Sequence, residues 1–231
     1  SPAPTTGPWQ HDTTQTLVGG CRGCGRAGGC VHAVHPAALH GATGQPGVGV
    51  LLTPSDWIVR WSHLLAPLGT VLDVACGSGR HLQWFAARGH AVTGIDRDIG
   101  AAHTTVPGSH LVCADIENAP WPLLHLGIPQ QFDAVVVTNY LWRQLMPILI
   151  NSVAPGGVLL YETFTAGQES VGRPSRADFL LQRGELLRYC ADLHIVAYEN
   201  GYLDNPPRFV QRIAAVRPAA TAHHTPERHP L

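Results

Sequence analysis

The residues with the most chemical information form a short glycine-containing segment and an acid that follows it. Residues 71–80 read V-L-D-V-A-C-G-S-G-R, an apolar run that carries Asp73 and is followed by Gly77 and Gly79. Such glycines let the backbone turn sharply from strand into helix and approach a ligand with no Cβ in the way. Asp96 ends the next apolar run, 17 residues after Gly79, where a carboxylate accepts hydrogen bonds from two ribose hydroxyls. The pattern predicts a nucleotide-type cofactor site.

Two cofactor classes use a strand, a glycine turn and a helix in this order. A dinucleotide site has a third glycine three residues after the second, where helix and strand come close, but residue 82 is Leu82. The carboxylate of Asp73 would repel a pyrophosphate, whereas it suits a cofactor that carries cations. S-adenosylmethionine carries an ammonium and a sulfonium. The residues therefore favour S-adenosylmethionine, and an NAD(P)-dependent oxidoreductase is the less favoured alternative.

The elements that must position these residues alternate along the chain. Apolar runs separated by helical spacing predict a mainly parallel sheet with helices on both faces. The last two runs are joined too tightly for a crossover helix, so the last strand should be antiparallel. The prediction is an α/β, Rossmann-like sheet of seven strands, with ligands at the carboxyl ends of the strands. The predicted strands are residues 71–75, 91–95, 110–114, 134–138, 158–164, 195–198 and 209–216, and the predicted helices are 57–65, 81–88, 142–153 and 185–193.

Composition separates a folded unit from its extensions. Residues 1–50 and 217–231 are rich in Gly, Pro or His without an apolar period, which predicts an irregular or disordered extension and a disordered tail. Residues 51–216 are the predicted folded domain. A net charge of −1 argues against nucleic acid and anionic membranes as partners, and the longest apolar runs are too short to span a bilayer. Three of the six cysteines crowd residues 21–30, and Cys76, Cys113 and Cys190 lie in apolar runs, where we expect core residues; this distribution does not resemble a disulfide framework and predicts a reducing cytoplasm.

The motifs of residues 71–160 resemble those of class I S-adenosylmethionine-dependent methyltransferases. Five motifs in the family's order, across roughly residues 55–165, are a specific signal. The rest of the chain is similar, more loosely, to a bacterial branch near the tellurite-resistance and thiopurine methyltransferases, which act on small molecules. The matching motifs are V-L-D-V-A-C-G-S-G at 71–79, T-G-I-D ending at Asp96, C-A-D-I ending at Ile116, F-D-A-V-V-V-T at 132–138 and A-P-G-G-V-L-L at 154–160.

The resemblance implies contacts to S-adenosylmethionine at the carboxyl ends of the first four strands. The glycine turn would hold the methionine part, Asp96 the ribose, and Asp115 the adenine amino group. Asp115 can also be interpreted as a solvated turn residue and Asn139 as a helix cap. The implied cofactor-binding residues are Asp73, Ala75, Gly77, Ser78, Gly79, Arg80, Asp96, Arg97, Asp115, Ile116, Thr138 and Asn139, with Trp57 and Arg60 as further candidates.

The resemblance also implies an enzyme that transfers a methyl group to a small-molecule acceptor. Asn139, Tyr140 and Glu162 are the candidates for catalysis, and no general base is assigned. Thr138-Asn-Tyr-Leu141 stands where methyltransferases of adenine or of protein amides often have Asn-Pro-Pro-Tyr, which argues against those substrates. The loop 165–178 would either close over an anion or be solvated. Because fold and cofactor do not fix activity, a non-catalytic S-adenosylmethionine-binding module stays an alternative, and a protein partner is not predicted.

Four residues near the start of the chain have the side chains of a zinc site. Cys21-x-x-Cys24 is followed by Cys30-x-His32, and these are ligand types that tetrahedral zinc prefers. The second pair is one residue apart rather than two to four, and the flanks lack the apolar residues that a metal knuckle packs against. The prediction is that no metal binds, with these four as the ligands if one does.

Overall fold

A computed structural model of the chain describes residues 53–219 and 228–231. Within those residues, short α-helices alternate with strands, as predicted. The strands are β1 (Thr70–Val74), β2 (Ala91–Asp96), β3 (His110–Cys113), β4 (Leu124–His125), β5 (Ile128–Pro129), β6 (Phe132–Thr138), β7 (Val153–Phe164), β8 (His194–Asp204) and β9 (Pro207–Val216). The helices are α1 (Asp56–Trp61), α2 (Arg80–Ala86), α3 (Gly100–Thr105), α4 (Met146–Asn151) and α5 (Glu185–Tyr189).

Seven of these strands form one sheet in the order β3-β2-β1-β6-β7-β9-β8. The pairs from β3 to β7 are parallel, whereas β9 runs antiparallel to both β7 and β8. This confirms the predicted α/β, Rossmann-like sheet with an antiparallel last strand. The last strand lies inside the sheet, because the β8–β9 hairpin folds back and inserts β9 beside β7. The tip of that hairpin therefore lies at the carboxyl edge of the parallel strands.

Both faces of the sheet are covered, which explains why its strands are nearly continuous apolar runs. On one face, Leu72 and Val135 pack with Met146 and Leu149 of α4 and with α5. On the other face, the strands pack against α1, α2 and α3, and α1 contributes two buried tryptophans. The buried residues of this second face include Trp57, Trp61, Val71, Leu82, Phe85, Val136 and Leu160. The two helical layers leave only the strand ends open to a ligand.

The predicted elements correspond to observed ones with shifted ends. Gly89 has a positive φ of 85° directly after α2, which confirms its role in ending that helix. The predicted helix at 142–153 divides into a 3₁₀ turn at Arg143–Leu145 and α4. The helix α3 and the small β4–β5 hairpin were not predicted, because Gly100–Thr105 has a single buried residue, Ala102, and the hairpin is two residues per strand.

The prediction of free core cysteines holds for two of the described cysteines and fails for a third. Cys76 and Cys190 are buried free thiols. Cys113 is disulfide-bonded, which corrects the expectation of no disulfides. It is half-buried at the end of β3.

The domain boundaries of the sequence analysis remain predictions. Residues 1–50, which include the four candidate zinc ligands, lie outside the described residues, as do residues 220–227. Near the chain end, the His229 ring packs 5.0 Å from the His194 ring. No helix among residues 53–219 and 228–231 is long and apolar enough to cross a membrane.

Candidate functional site

A cavity of about 180 Å³ opens at the carboxyl ends of β1, β2 and β3. It brings together five of the residues predicted to bind cofactor and adds Ala114, Glu117 and Tyr140. Ligands of open α/β sheets bind at this edge, where the strand order reverses between β1 and β6. The lining residues are Ala75, Asp96, Arg97, Ala114, Asp115, Ile116, Glu117 and Tyr140.

The glycine turn and Asp96 form one hydrogen-bonded unit beside this cavity. The Asp96 carboxylate accepts hydrogen bonds from the backbone N–H of Gly77 at 2.8 Å and of Asp98 at 3.0 Å. A Cβ on Gly77 would have no atom within 4 Å, so the space above the turn is open. A Cβ on Gly79 would lie 3.3 Å from Ala102, so this glycine lets α2 and α3 pack closely. The turn thus holds a carboxylate at the cavity while keeping its own backbone accessible.

Asp73 lies beneath the turn as a buried carboxylate. It is 1% exposed, its Oδ2 makes no hydrogen bond within the described residues, and that oxygen lies 3.7 Å from His81 Nδ1. The other ring nitrogen of His81, Nε2, accepts a hydrogen bond from the Ser55 backbone N–H at 3.2 Å. A buried carboxylate oxygen without a donor is costly, and a cation satisfies it. The buried carboxylate of Asp73 therefore fits a cofactor with a cationic end.

Asp115 and Ile116 form the outer wall of the same cavity. Asp115 is exposed, and it accepts hydrogen bonds from the Asn118 side chain at 3.0 Å and from the Glu117 backbone N–H at 3.1 Å. The Asn118 hydrogen bond, followed by that from Glu117, lowers the pKa of Asp115, so this group stays an acceptor at neutral pH. Ile116 is 7% exposed and gives the wall an apolar surface.

A second cavity, of about 250 Å³, adjoins the first at the ends of β6 and β7. Glu117 and Tyr140 line both cavities and so form the wall between them. Asn139 is exposed here, with a positive φ of 55° that asparagine tolerates better than most side chains. The lining residues are Glu117, Asn139, Tyr140, Leu141, Thr163, Phe164, Pro174 and Phe179.

The far wall of the second cavity is held by an arginine from a distant segment. Arg143 donates to both carboxylate oxygens of Glu185, at 2.7 and 3.1 Å, and to the carbonyl oxygens of Asp178 and Leu180 at 2.7 and 2.8 Å. Burial alone would raise the pKa of Glu185, but the hydrogen bonds from Arg143 and from the Gln182 backbone lower it overall. This brace fixes the segment that carries Phe179.

Glu162 lies outside both cavities, in a buried charge cluster. It is 1% exposed and accepts a hydrogen bond from Ser55 Oγ at 2.9 Å. Arg212 Nη1 lies 3.1 Å and Arg208 Nη2 3.6 Å from its carboxylate oxygens, and Arg212 also pairs with Glu199. The cluster joins β7 to β9 and to the start of α1. The structure therefore gives this catalytic candidate a bracing position rather than one at a cavity.

Other predicted site residues stand back from the cavities. Ser78 is exposed in the glycine turn, Arg80 is half-buried at the start of α2, and Thr138 is 9% exposed at the end of β6. Trp57 is buried and donates through Nε1 to the Ile213 carbonyl at 3.2 Å, while exposed Arg60 pairs with Glu199 at 3.4 Å.

Two further observations concern metal binding and a groove at the opposite edge of the sheet. Within residues 53–219 and 228–231, no cluster of three His, Cys, Asp or Glu side chains could hold a metal. A larger groove of about 420 Å³ lies at the opposite, amino edge of the sheet, where Thr70, His90 and Pro107 line it. None of the predicted site residues reaches that groove, and the carboxyl edge is where this fold binds ligands.

Sequence reasoning found part of the second cavity's wall, since Tyr140 and the loop that holds Pro174 were predicted to lie there, but it missed Glu117, Phe164 and Phe179. Glu117 had an available signal, because it directly follows the C-A-D-I motif that lines the first cavity. Phe164 and Phe179 had none, since only tertiary contacts bring them to the ends of β6 and β7.

Comparison with known proteins adds a family to this geometry. Residues 71–157 match the model of a family described as a methyltransferase domain. TehB from Haemophilus influenzae superposes with a TM-score of 0.55 at 22% identity, covering 69% of this chain and 61% of that one. An S-adenosylmethionine-dependent methyltransferase from Methanosarcina mazei superposes with a TM-score of 0.55 at 16% identity, covering 73% of this chain and all of that one (100%). These two structures share the fold.

A curated relative bears on the acceptor. The chain is 33% identical, over 129 residues, to a tRNA U34 carboxymethyltransferase from Edwardsiella ictaluri, and the match covers 47% of this chain and 37% of that protein. The chain thus spans little more than a third of the relative that it matches. This finding contradicts the exclusion of nucleic acid and leaves the small-molecule acceptor without support. That exclusion was wrong because net charge is a sum over the whole chain and does not describe one edge of the sheet.

The matched residues include the glycine turn, Asp96, Asp115, Ile116 and all of β6, and the structure gathers them at one edge of the expected sheet. The class and the cofactor predicted from the sequence are confirmed. Residues 71–157 therefore match a methyltransferase domain, and the fold around them is shared with a solved S-adenosylmethionine-dependent methyltransferase.

Proposed function

We propose that this chain is a methyltransferase whose acceptor is a nucleobase of RNA, with tRNA as the first candidate. The observation that carries the proposal is the pair of adjoining cavities, one at the cofactor motifs and one walled by aromatic rings. Methyl transfer requires donor and acceptor to be held close together in a dry site. Two cavities that share the wall of Glu117 and Tyr140 meet that requirement.

The first cavity supplies what S-adenosylmethionine needs. Asp96 offers oxygens to the ribose, Asp115 and Ile116 offer an acceptor and an apolar surface to the adenine, and buried Asp73 offers negative charge near the glycine turn. When bound, the cofactor supplies an electrophilic methyl group on a positively charged sulfur. The residues of this chain bind and orient the cofactor and the acceptor. They also exclude water from the shared wall.

The second cavity fits a planar ring. Tyr140, Phe164, Phe179 and Pro174 supply flat or apolar surfaces, and Glu117 is the charged group among the lining residues. Enzymes that act on bases take the base out of its stack and hold it between aromatic or apolar side chains. The cavity therefore suits a flipped or unpaired nucleobase.

Two exposed arginines lie at the rim, alongside the carboxylates of the cofactor cavity. Arg97 is exposed beside the first cavity, and exposed Arg173 directly precedes Pro174 of the second. Arginines at such positions can contact phosphates of a nucleic acid. The curated relative acts on tRNA, which supports the same acceptor class.

The test is transfer of label from radiolabelled S-adenosylmethionine to RNA. Purified chain is incubated with bulk tRNA and with an unmodified tRNA transcript, and the tRNA is then digested to nucleosides. We expect label in one nucleoside, absent with Asp96→Ala and retained with Asp192→Ala, a matched control because Asp192 is exposed before β8 at the amino edge. Mass spectrometry of that nucleoside identifies the methylated base. Label confined to small molecules would refute the RNA acceptor.

A further inference from the structure

The wall between the two cavities contains a buried hydroxyl without a hydrogen-bond partner. Tyr140 Oη is buried and makes no hydrogen bond within the described part of the chain. Its main chain is fixed, because the Tyr161 hydroxyl donates to the Tyr140 carbonyl oxygen at 2.8 Å. Burial raises the pKa of Tyr140, so the hydroxyl stays protonated and can donate. An unpaired donor of this kind costs about 1–3 kcal/mol unless a ligand satisfies it.

Glu117 is the acidic side chain on the same wall. Its carboxylate adds to the raised pKa of Tyr140 through its charge and as a neighbouring acceptor of the hydroxyl, although the two groups do not reach the geometry of a full hydrogen bond. Other charges near Tyr140 are Asp115 and Arg97, and both lie on the side of the first cavity. Glu117 and Tyr140 are thus a hydrogen-bond acceptor and a donor that lie side by side and line both cavities.

We propose that Glu117 and Tyr140 together bind and deprotonate the acceptor, and that they select a ring edge carrying a proton next to a hydrogen-bond acceptor. Tyr140 Oη donates to the acceptor atom of that edge, and the Glu117 carboxylate accepts from its N–H or O–H. The imide edge of a uracil ring has this arrangement, and so does the lactam edge of a guanine. Cytosine and adenine also place an N–H beside an acceptor, but theirs is an exocyclic amine, which is far less acidic than a ring imide or lactam N–H and so is not deprotonated by a carboxylate. This inference rests on the proposed function and names its substrate class.

The resulting step is balanced. The lone pair of the deprotonating nitrogen or oxygen forms the new bond to carbon. The carbon–sulfur bond breaks, and sulfur keeps its electron pair and loses its charge. The proton passes to the Glu117 carboxylate and from there to water, since Glu117 is half-buried rather than enclosed.

The test uses Glu117→Gln and Tyr140→Phe, each with a matched control of the same substitution. Glu169→Gln is the first control, since Glu169 is exposed and an amide oxygen can keep its bond from the Gly167 N–H. Tyr202→Phe is the second, because Tyr202 is 45% exposed and its ring contact with Phe209 does not need the hydroxyl. Three quantities are measured: affinity for S-adenosylhomocysteine by calorimetry, affinity for tRNA in its presence by mobility shift, and kcat and KM for methyl transfer.

We expect Glu117→Gln to lower kcat by about 100-fold with little change in KM, the lower range for loss of a general base. Tyr140→Phe should weaken tRNA binding by about fivefold, which corresponds to one lost hydrogen bond. Affinity for S-adenosylhomocysteine should stay within about twofold in both variants and in both controls.

Three outcomes would contradict the proposal, and they are distinguishable. If wild-type protein modifies tRNA and both variants match it, the pair has no role in the acceptor site. If both variants also lose affinity for S-adenosylhomocysteine, the pair is only a wall of the cofactor cavity. If wild-type protein modifies no tRNA, the proposed function fails, and the role given to the pair fails with it.

Discussion

The two sides of the carboxyl edge are built in different ways. On the cofactor side, every lining residue but Tyr140 comes from residues 75–117, and the key bond joins Asp96 to Gly77 within the β1-α2-β2 unit. On the acceptor side, the wall is assembled from segments between 117 and 179, and Arg143 holds it through Glu185. A local motif fixes the first side, whereas long-range contacts fix the second. Changes on the acceptor side should therefore leave cofactor binding intact.

The largest expected effect comes from the buried cluster that braces the acceptor side. Glu162→Gln keeps the side-chain shape but leaves Arg208 and Arg212 without their buried counter-charge. We expect the free energy of unfolding to fall by about 3 kcal/mol, because Arg208 loses its buried counter-charge and Arg212 keeps only the half-exposed Glu199. Urea denaturation measures this.

Glu199→Gln is the matched control for that experiment. Glu199 pairs with the same Arg212, but its side chain is 41% exposed. An exposed pair contributes about 0–1 kcal/mol, so this variant should unfold almost like wild type. Equal effects of the two substitutions would mean that burial of Glu162 does not decide its importance.

A smaller effect on stability should show directly that the acceptor side can change without the cofactor side. Arg143→Ala removes the hydrogen bonds to Glu185, Asp178 and Leu180. We expect a loss of about 2 kcal/mol in the free energy of unfolding and faster proteolysis within residues 165–184. Affinity for S-adenosylhomocysteine should not change. Loss of cofactor affinity in this variant would show that the two sides are coupled.

The same brace predicts a pH dependence. The pKa of Glu185 lies below its ordinary value of 4.5, so the pair with Arg143 stabilises the fold at pH values above 4.5. That stabilisation is lost as the pH falls through the lowered pKa of the folded state. The stability difference between wild type and Arg143→Ala should therefore be constant near neutral pH and shrink in acid. A difference that grows in acid would contradict the ionised pair.

The smallest effect concerns the cofactor side. Ala75 has a positive φ of 55°, a conformation that costs a residue with a Cβ about 1–2 kcal/mol. Ala75→Gly removes this strain but gives the unfolded chain more freedom, worth about 0.4–1 kcal/mol. We expect a net gain of about 0.5 kcal/mol in the free energy of unfolding, with cofactor affinity unchanged. Clear destabilisation would mean that the methyl group of Ala75 contributes contacts that outweigh the strain.

The same contrast explains how much the sequence could predict. The sheet, its antiparallel last strand and the cofactor edge follow from apolar periodicity and from motifs that occupy consecutive residues. Asp96 and Ala75 meet at one cavity because parallel strands end at the same edge.

The acceptor side could not be predicted in this way. Phe179 reaches its cavity because Arg143 donates to the carbonyl oxygens on either side of it, and nothing in the intervening sequence specifies that contact. Glu162 ends a strand like a site residue, yet its side chain points to the face covered by α1, where Ser55 and two arginines surround it. Net charge was a poor guide for a related reason, since it sums over residues that the fold separates.

The most direct test is a calorimetric titration of S-adenosylhomocysteine into wild-type protein, Asp96→Ala and Asp192→Ala. Wild type and Asp192→Ala should bind alike, and Asp96→Ala should bind at least about tenfold more weakly, because the carboxylate that shapes the glycine turn is gone. Equal affinities in all three proteins would show that the carboxyl edge of β2 is not where the cofactor binds. That result would contradict the division of this edge into a cofactor side and an acceptor side.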